Sequence, residues 1–119
     1  MEKKIIIISL IIIATISIFI KLSHTDFSTY ITSDAMSYSL NAFSFVNGDF
    51  TPIFNKSSGW PLAIFPFFNL VESDNFITYS NIVRILTITI STVTIIPIYF
   101  LARKWFPEKY SLVAASFFA

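Results

Sequence analysis

The sequence predicts an all-α integral membrane protein of the helical-bundle kind, and three observations carry that expectation. Of 119 residues, 55% are hydrophobic and only 13% are charged, where a soluble domain carries about 25% charge; the mean hydropathy is +0.72. The apolar residues gather into long runs separated by one polar stretch, a pattern of spans and not of alternating strands. Lys and Arg crowd the short segments at one end of those runs, as in cytoplasmic loops. The same composition excludes other classes. Eight basic against seven acidic residues leave a net charge of +1, with no basic stripe to track a phosphate backbone, so nucleic acid is not an expected partner. Without Cys there are no disulfides and no thiolate chemistry, and His24 stands alone as a metal-ligating imidazole.

Residues 1–22 comprise a short basic start, Lys3 and Lys4, and a first transmembrane helix. From 5 to 22 the run is apolar apart from hydroxyls and Lys21, long enough for about 27 Å of helix and close to a hydrocarbon core. A cleaved signal peptide starts the same way, but its apolar core covers about 7 to 15 residues and ends in a small-x-small site. This run is longer and lacks the site. Residues 23–75 turn to Ser, Thr, Asn and Asp with interspersed Phe; so long a connection is expected to fold onto something. Residues 76–102 form the second span, opened by the capping cluster Ser73, Asp74, Asn75 and closed by Arg103 and Lys104. Thr78, Ser80 and Asn81 put the start of hydrocarbon near Ile82, and Pro97 is expected to kink the inner end. Residues 103–109 are a short link broken by Pro107, and 110–119 begin a third apolar segment about half the length of a span. The chain is therefore expected to be the N-terminal piece of a longer membrane protein.

Orientation follows from the basic residues. Lys3, Lys4, Arg103, Lys104 and Lys109 flank the spans on one side, while the long connection holds Lys56 alone, with Lys21 at its edge. The expectation is a multi-pass protein of the cell membrane with a cytoplasmic N-terminus and residues 23–75 outside.

Within the outer segment, Thr32 or Ser33 caps a helix from Asp34, and Asn47-Gly48 supplies a left-handed stop. Asp34, Ser37, Asn41 and Ser44 recur at helical spacing and form one polar stripe. Asp34 at its N-terminal end is either an ordinary first-turn acid favoured by the macrodipole or a carboxylate facing a polar crevice. The stretch from Gly48 through Pro52 leaves the helix extended, and residues 55–59 are a turn cluster. Trp60-Pro61 opens a short aromatic helix with Pro61 at its first position, bent or cut short by Pro66. Trp60, Phe65, Phe67 and Phe68 are expected at the lipid-water interface. Arg84 lies a turn or so inside the second span, where a guanidinium either snorkels or meets an anion such as a lipid phosphate. Asp49, Glu72 and Asp74 read as turn and capping residues.

Taken in order, Asp34, Asn47-Gly48-Asp49-Phe50, Ser58-Gly59-Trp60-Pro61-Leu62, Arg84 and Leu101-Ala102-Arg103-Lys104-Trp105-Phe106 make the chain resemble the N-terminal portion of the integral-membrane GT-C glycosyltransferases, in the protein O-mannosyltransferase and aminoarabinose-transferase-like group. The resemblance implies a polytopic GT-C helical bundle with an extracytoplasmic loop of interfacial helices. It implies transfer of a sugar from a polyprenyl-phosphate-linked donor to a protein, lipid or glycan acceptor on the outer face, with membrane lipid as surroundings. No cofactor is called for, although a divalent metal stays open. Asp34 matches the family's catalytic acid of the first outer loop, which would take the proton from an attacking hydroxyl. Arg84 matches an Arg associated with the carrier phosphate, which would stabilise charge on the leaving group. The chain departs from the pattern in having Ala35 where many relatives carry a second acid, and Gly59-Trp60 where some carry a Lys. An isolated piece of this length is expected to be inactive. The alternative is a small non-catalytic anchoring or assembly subunit, and reading the genomic frame past Ala119 separates the two. An oligosaccharyltransferase-like member would need a metal-binding acid pair that the sequence does not display.

Overall fold

The structure is a computed structural model that describes residues 3–51, 53 and 57–119. Pro52, Asn55 and Lys56, part of the expected extended stretch and turn cluster, lie outside the described residues. Six helices make up the regular structure there: α1 (Lys3–His24), α2 (Ser33–Val46), α3 (Gly59–Asn69), α4 (Phe76–Val93), α5 (Ile95–Ala102) and α6 (Glu108–Phe117). They divide into two compact units, Met1–Thr25 with Thr87–Ala119, and Asp26–Leu86.

The first unit holds α1, the end of α4, α5 and α6. Two helices, Lys3–His24 and Phe76–Ala102, are long and apolar enough to cross a membrane, and little of either is buried. Ile5, Ile8, Ile12, Ile16 and Phe19 of α1 are all exposed, as expected of side chains that face hydrocarbon. The buried residues of this unit include the small or hydroxylated Ala115, Ser111 and Ser17 together with the larger Ile6, Ile95 and Tyr99. Small residues let helices approach closely where no hydrophobic force distinguishes neighbour from solvent. Lys21 is held inside this unit, its Nζ donating to Ser91 Oγ at 3.0 Å. Near Pro97, where a kink is expected, the helix is interrupted at Thr94. Proline has no N–H for the carbonyl four residues back, that of Val93, and regular helix is interrupted there, between α4 and α5. Flanking bonds from Thr94 N to Ile90 O and from Ile98 N to Thr94 O carry the chain through.

The second unit packs α2, α3 and the first part of α4. Expected boundaries recur closely. Thr32 occupies the N-cap of α2 with extended backbone, though its side chain makes no capping bond, and Gly48 has φ +81 just past the helix end, the left-handed conformation that glycine adopts at least cost. Asn75 caps α4, its Oδ1 accepting from Ile77 N at 2.9 Å. Pro61 lies in the third position of α3 and not the first, because the helix begins at Gly59; its missing N–H is still one of the four that a helix start leaves unpaired.

The aromatic residues require a correction. Phe68 was expected at the lipid-water interface; it is 2% exposed and lies in the core with Ile31, Ala42, Ile64, Tyr79 and Val83. Its ring lies 5.0 Å from those of both Phe43 and Tyr79, and Phe43 lies 4.5 Å from Tyr79 edge to face. Phe65 is half-buried against Phe45 and Phe50, and Phe67 is the exposed member. The cause is helical spacing: Ile64 and Phe68, four apart, share the inward face of α3, and Phe67 points elsewhere. Phe68→Ala is expected to destabilise this unit by about 3 to 5 kcal/mol, measured as a fall in the midpoint of denaturant unfolding followed by near-UV circular dichroism of its aromatic residues. A midpoint unchanged from wild type would place Phe68 outside the core.

Candidate functional site

Asp34 is the second residue of α2 and is exposed. Immediately before it, Ser33 has φ 57, a left-handed conformation that a non-glycine residue rarely adopts and that carries a cost of about 1 to 3 kcal/mol. The chain thus enters α2 through a sharp reversal at the residue next to the candidate acid. Below Asp34 the polar stripe turns inward. Ser37 is half-buried, while Asn41 and Ser44 are buried. Asn41 Oδ1 accepts from Ile53 N at 3.0 Å, Ser44 Oγ donates to Asp49 O at 2.9 Å, and Asp49 N donates back to Ser44 O at 3.0 Å. The expected polar crevice along the stripe is therefore closed at its lower end. Those two side chains clasp the segment that follows α2.

Arg84 is half-buried on α4, with part of its guanidinium engaged by the protein itself. Its Nη1 donates to Thr29 O at 2.7 Å and to Asn81 Oδ1 at 2.9 Å, and its Nη2 donates to Thr29 Oγ1 at 3.2 Å. Asn81, one turn earlier, donates from Nδ2 to Phe27 O at 3.1 Å. Ser80 Oγ accepts from Ile31 N at 3.4 Å. Ser80, Asn81 and Arg84 together dock residues 27–31 onto the helix, and that segment leads directly to Ser33 and Asp34. Asp34 and Arg84 are not joined: the guanidinium's hydrogen bonds go to Thr29 and Asn81.

Two other acids of this unit are closed on themselves in the same way. Asp26-Phe27-Ser28 and Asp49-Phe50-Thr51 each fold an aspartate onto the residue two positions on. Asp26 Oδ1 accepts from Ser28 Oγ at 2.6 Å and from Ser28 N at 2.8 Å. Asp49 Oδ1 accepts from the Thr51 hydroxyl and, at 3.0 Å, from Thr51 N. These bonds favour the ionised carboxylate, so both acids titrate below the ordinary aspartate range; for Asp26 the Arg84 charge adds a smaller contribution in the same sense. The repeated Asp-Phe-Ser/Thr signature was readable as a turn motif. Thr29, as the acceptor of Arg84, had no signal in the sequence, since its carbonyl carries the contact. Comparison with protein-family models, with curated proteins and with solved structures returned no match.

Two outcomes follow. A depressed aspartate stabilises the fold above its unfolded pKa, and that contribution is lost as pH falls through the folded value. Stability is thus expected to be indifferent to Asp26 and Asp49 from pH 8 to about 5 and to decline below about 4, with Asp49→Asn flattening part of the decline in thermal melts across that range. Arg84→Lys replaces a planar fork with a point donor and is expected to raise hydrogen exchange across residues 27–31 severalfold while α3 keeps its protection. Exchange unchanged in that segment would count against the clasp.

Proposed function

We propose that the chain is the N-terminal part of a GT-C membrane glycosyltransferase of the protein O-mannosyltransferase and aminoarabinose-transferase-like group. It moves a sugar from a polyprenyl-phosphate-linked donor to a protein, lipid or glycan acceptor on the extracytoplasmic face of the cell membrane. Asp34 is its general base and Arg84 acts toward the donor phosphate. The observation that most supports this reading is the setting of Asp34. It is an exposed carboxylate at the start of α2 beside the left-handed Ser33. Strained backbone clusters at functional sites because catalysis needs a side chain held at one place. A carboxylate so held can take a proton from a hydroxyl within hydrogen-bond reach. Two helices able to cross a membrane accord with a lipid-linked donor.

One observation favours the alternative of a non-catalytic anchoring subunit: Arg84 is engaged by Thr29 and Asn81. In the transferase reading, its contribution to the donor phosphate comes from the remaining guanidinium hydrogens and from fixing the segment before Asp34. In the full-length protein, Asp34→Asn is expected to reduce sugar transfer by at least about 10²-fold with expression and membrane insertion unchanged. Arg84→Ala is expected to raise the apparent KM for the lipid-linked donor. Wild-type turnover by Asp34→Asn would remove Asp34 from the chemistry, and an unchanged donor KM would leave Arg84 with the clasp alone.

A further inference from the structure

The first unit carries a groove that the transferase reading does not use. It runs along α1 and α5 as two adjoining cavities of about 410 Å³ and 280 Å³, which share Ile7, Leu10 and Phe100. The larger is lined by aliphatic and aromatic side chains with one hydroxyl, that of Thr92, and this hydroxyl is already bonded to Ile88 O at 2.8 Å. The smaller ends between two cations, Lys3 and Arg103. Arg103 pairs with Glu108 through Nη2 at 2.6 Å, leaving Nη1 and Nε without a protein acceptor among the described residues. Tyr99, in the wall of this basic end, has a buried hydroxyl with no partner among the described residues. An apolar channel with positive charge at one mouth is complementary to a molecule with an apolar tail and an anionic head.

We propose that this groove binds one anionic phospholipid. An acyl chain lies along Leu10, Ala14 and Ile95, and the phosphate sits between Lys3 and Arg103, where a guanidinium and an ammonium pair with its oxygens. Charge complementarity selects this occupant over a further apolar helix, which would bring no anion to Lys3 or to the edge of Arg103 that Glu108 does not cover. The exposed Trp105, Phe106 and Tyr110 beside Lys104 and Lys109 form the aromatic and basic fringe found at headgroup depth. The inference rests on the membrane-spanning reading and is independent of the transferase.

The test is native mass spectrometry of the full chain in mild detergent, titrated with palmitoyl-oleoyl phosphatidylglycerol or with the phosphatidylcholine of the same chains. Adducts with phosphatidylglycerol are expected to be favoured by about tenfold. Lys3→Gln, which leaves the Arg103 pair with Glu108 intact, is expected to lose most of that preference, and Glu108→Gln to increase it. Ala14→Phe, which fills the groove, is expected to reduce adducts of both lipids. Equal binding of the two lipids by the wild type overturns the proposal, as does a preference that survives Lys3→Gln together with Arg103→Gln. A dimer that excludes lipid and is dispersed by Ala14→Phe also overturns it, because a second copy then fills the groove. Resistance of the wild type to alkaline extraction from membranes is scored separately: its loss removes the membrane reading, whereas lipid indifference with extraction resistance intact removes the phospholipid site alone.

Discussion

Phe43, Phe68 and Tyr79 meet with ring centres 4.5 to 5.0 Å apart, and the second unit depends on that contact because each ring comes from a different helix. Aromatic pairs in this geometry contribute about 0.5 to 1.5 kcal/mol beyond the area they bury. Tyr79 adds a directional element, since its hydroxyl donates to Val71 O at 2.8 Å and accepts from Ser73 N at 3.2 Å. The same side chain that closes the core thereby fixes the turn between α3 and α4. These rings pack with the aliphatic Ile31, Ala42, Ile64 and Val83 in a unit of some sixty residues, the size at which burial alone becomes marginal.

Polar side chains then organise the loops around that core. Asn41 and Ser44 hold the segment after α2, and Ser80, Asn81 and Arg84 hold the segment before it. Each bond runs from a side chain on a helix to backbone in a loop. A buried backbone amide or carbonyl without a partner is costly, so segments lacking secondary structure need such partners wherever they cross a protein surface. The result is that both loops flanking α2 are tied to helices, and Asp34 emerges directly after Ser33, where a non-glycine residue is held in a left-handed conformation.

Much of the fold was legible because its signals are local. Length and composition gave the two apolar helices, Gly48 marked the end of α2, and Asn75 marked the start of α4. What could not be read is what depends on a partner distant in sequence. Phe68 and Phe67 are neighbours of the same type, and only the helices against which α3 packs decide which is buried. The stripe of Asp34, Ser37, Asn41 and Ser44 has the spacing of a polar face, yet Asn41 and Ser44 lie inside, because the chain after Val46 folds back over them. Periodicity identifies a face and cannot say what covers it.

Arg84 shows the same limit more sharply. Read as a residue a turn inside the second span, it had two choices, snorkelling or an anion, since an unpaired charge in hydrocarbon is costly. The stretch from Phe76 to Ala102 is 27 residues, about 40 Å of helix against a hydrocarbon core of about 30 Å. The portion that belongs to the first unit begins at Thr87, five residues past the expected boundary at Ile82, and Arg84 lies before it. This earlier part carries Ser80, Asn81 and Arg84, the three residues that hold the loop. The part of α4 that belongs to the second unit thus presents a polar platform to the loop. On that platform Arg84 also serves as a fork for the carbonyl and hydroxyl of Thr29, which ties it to the approach to Asp34.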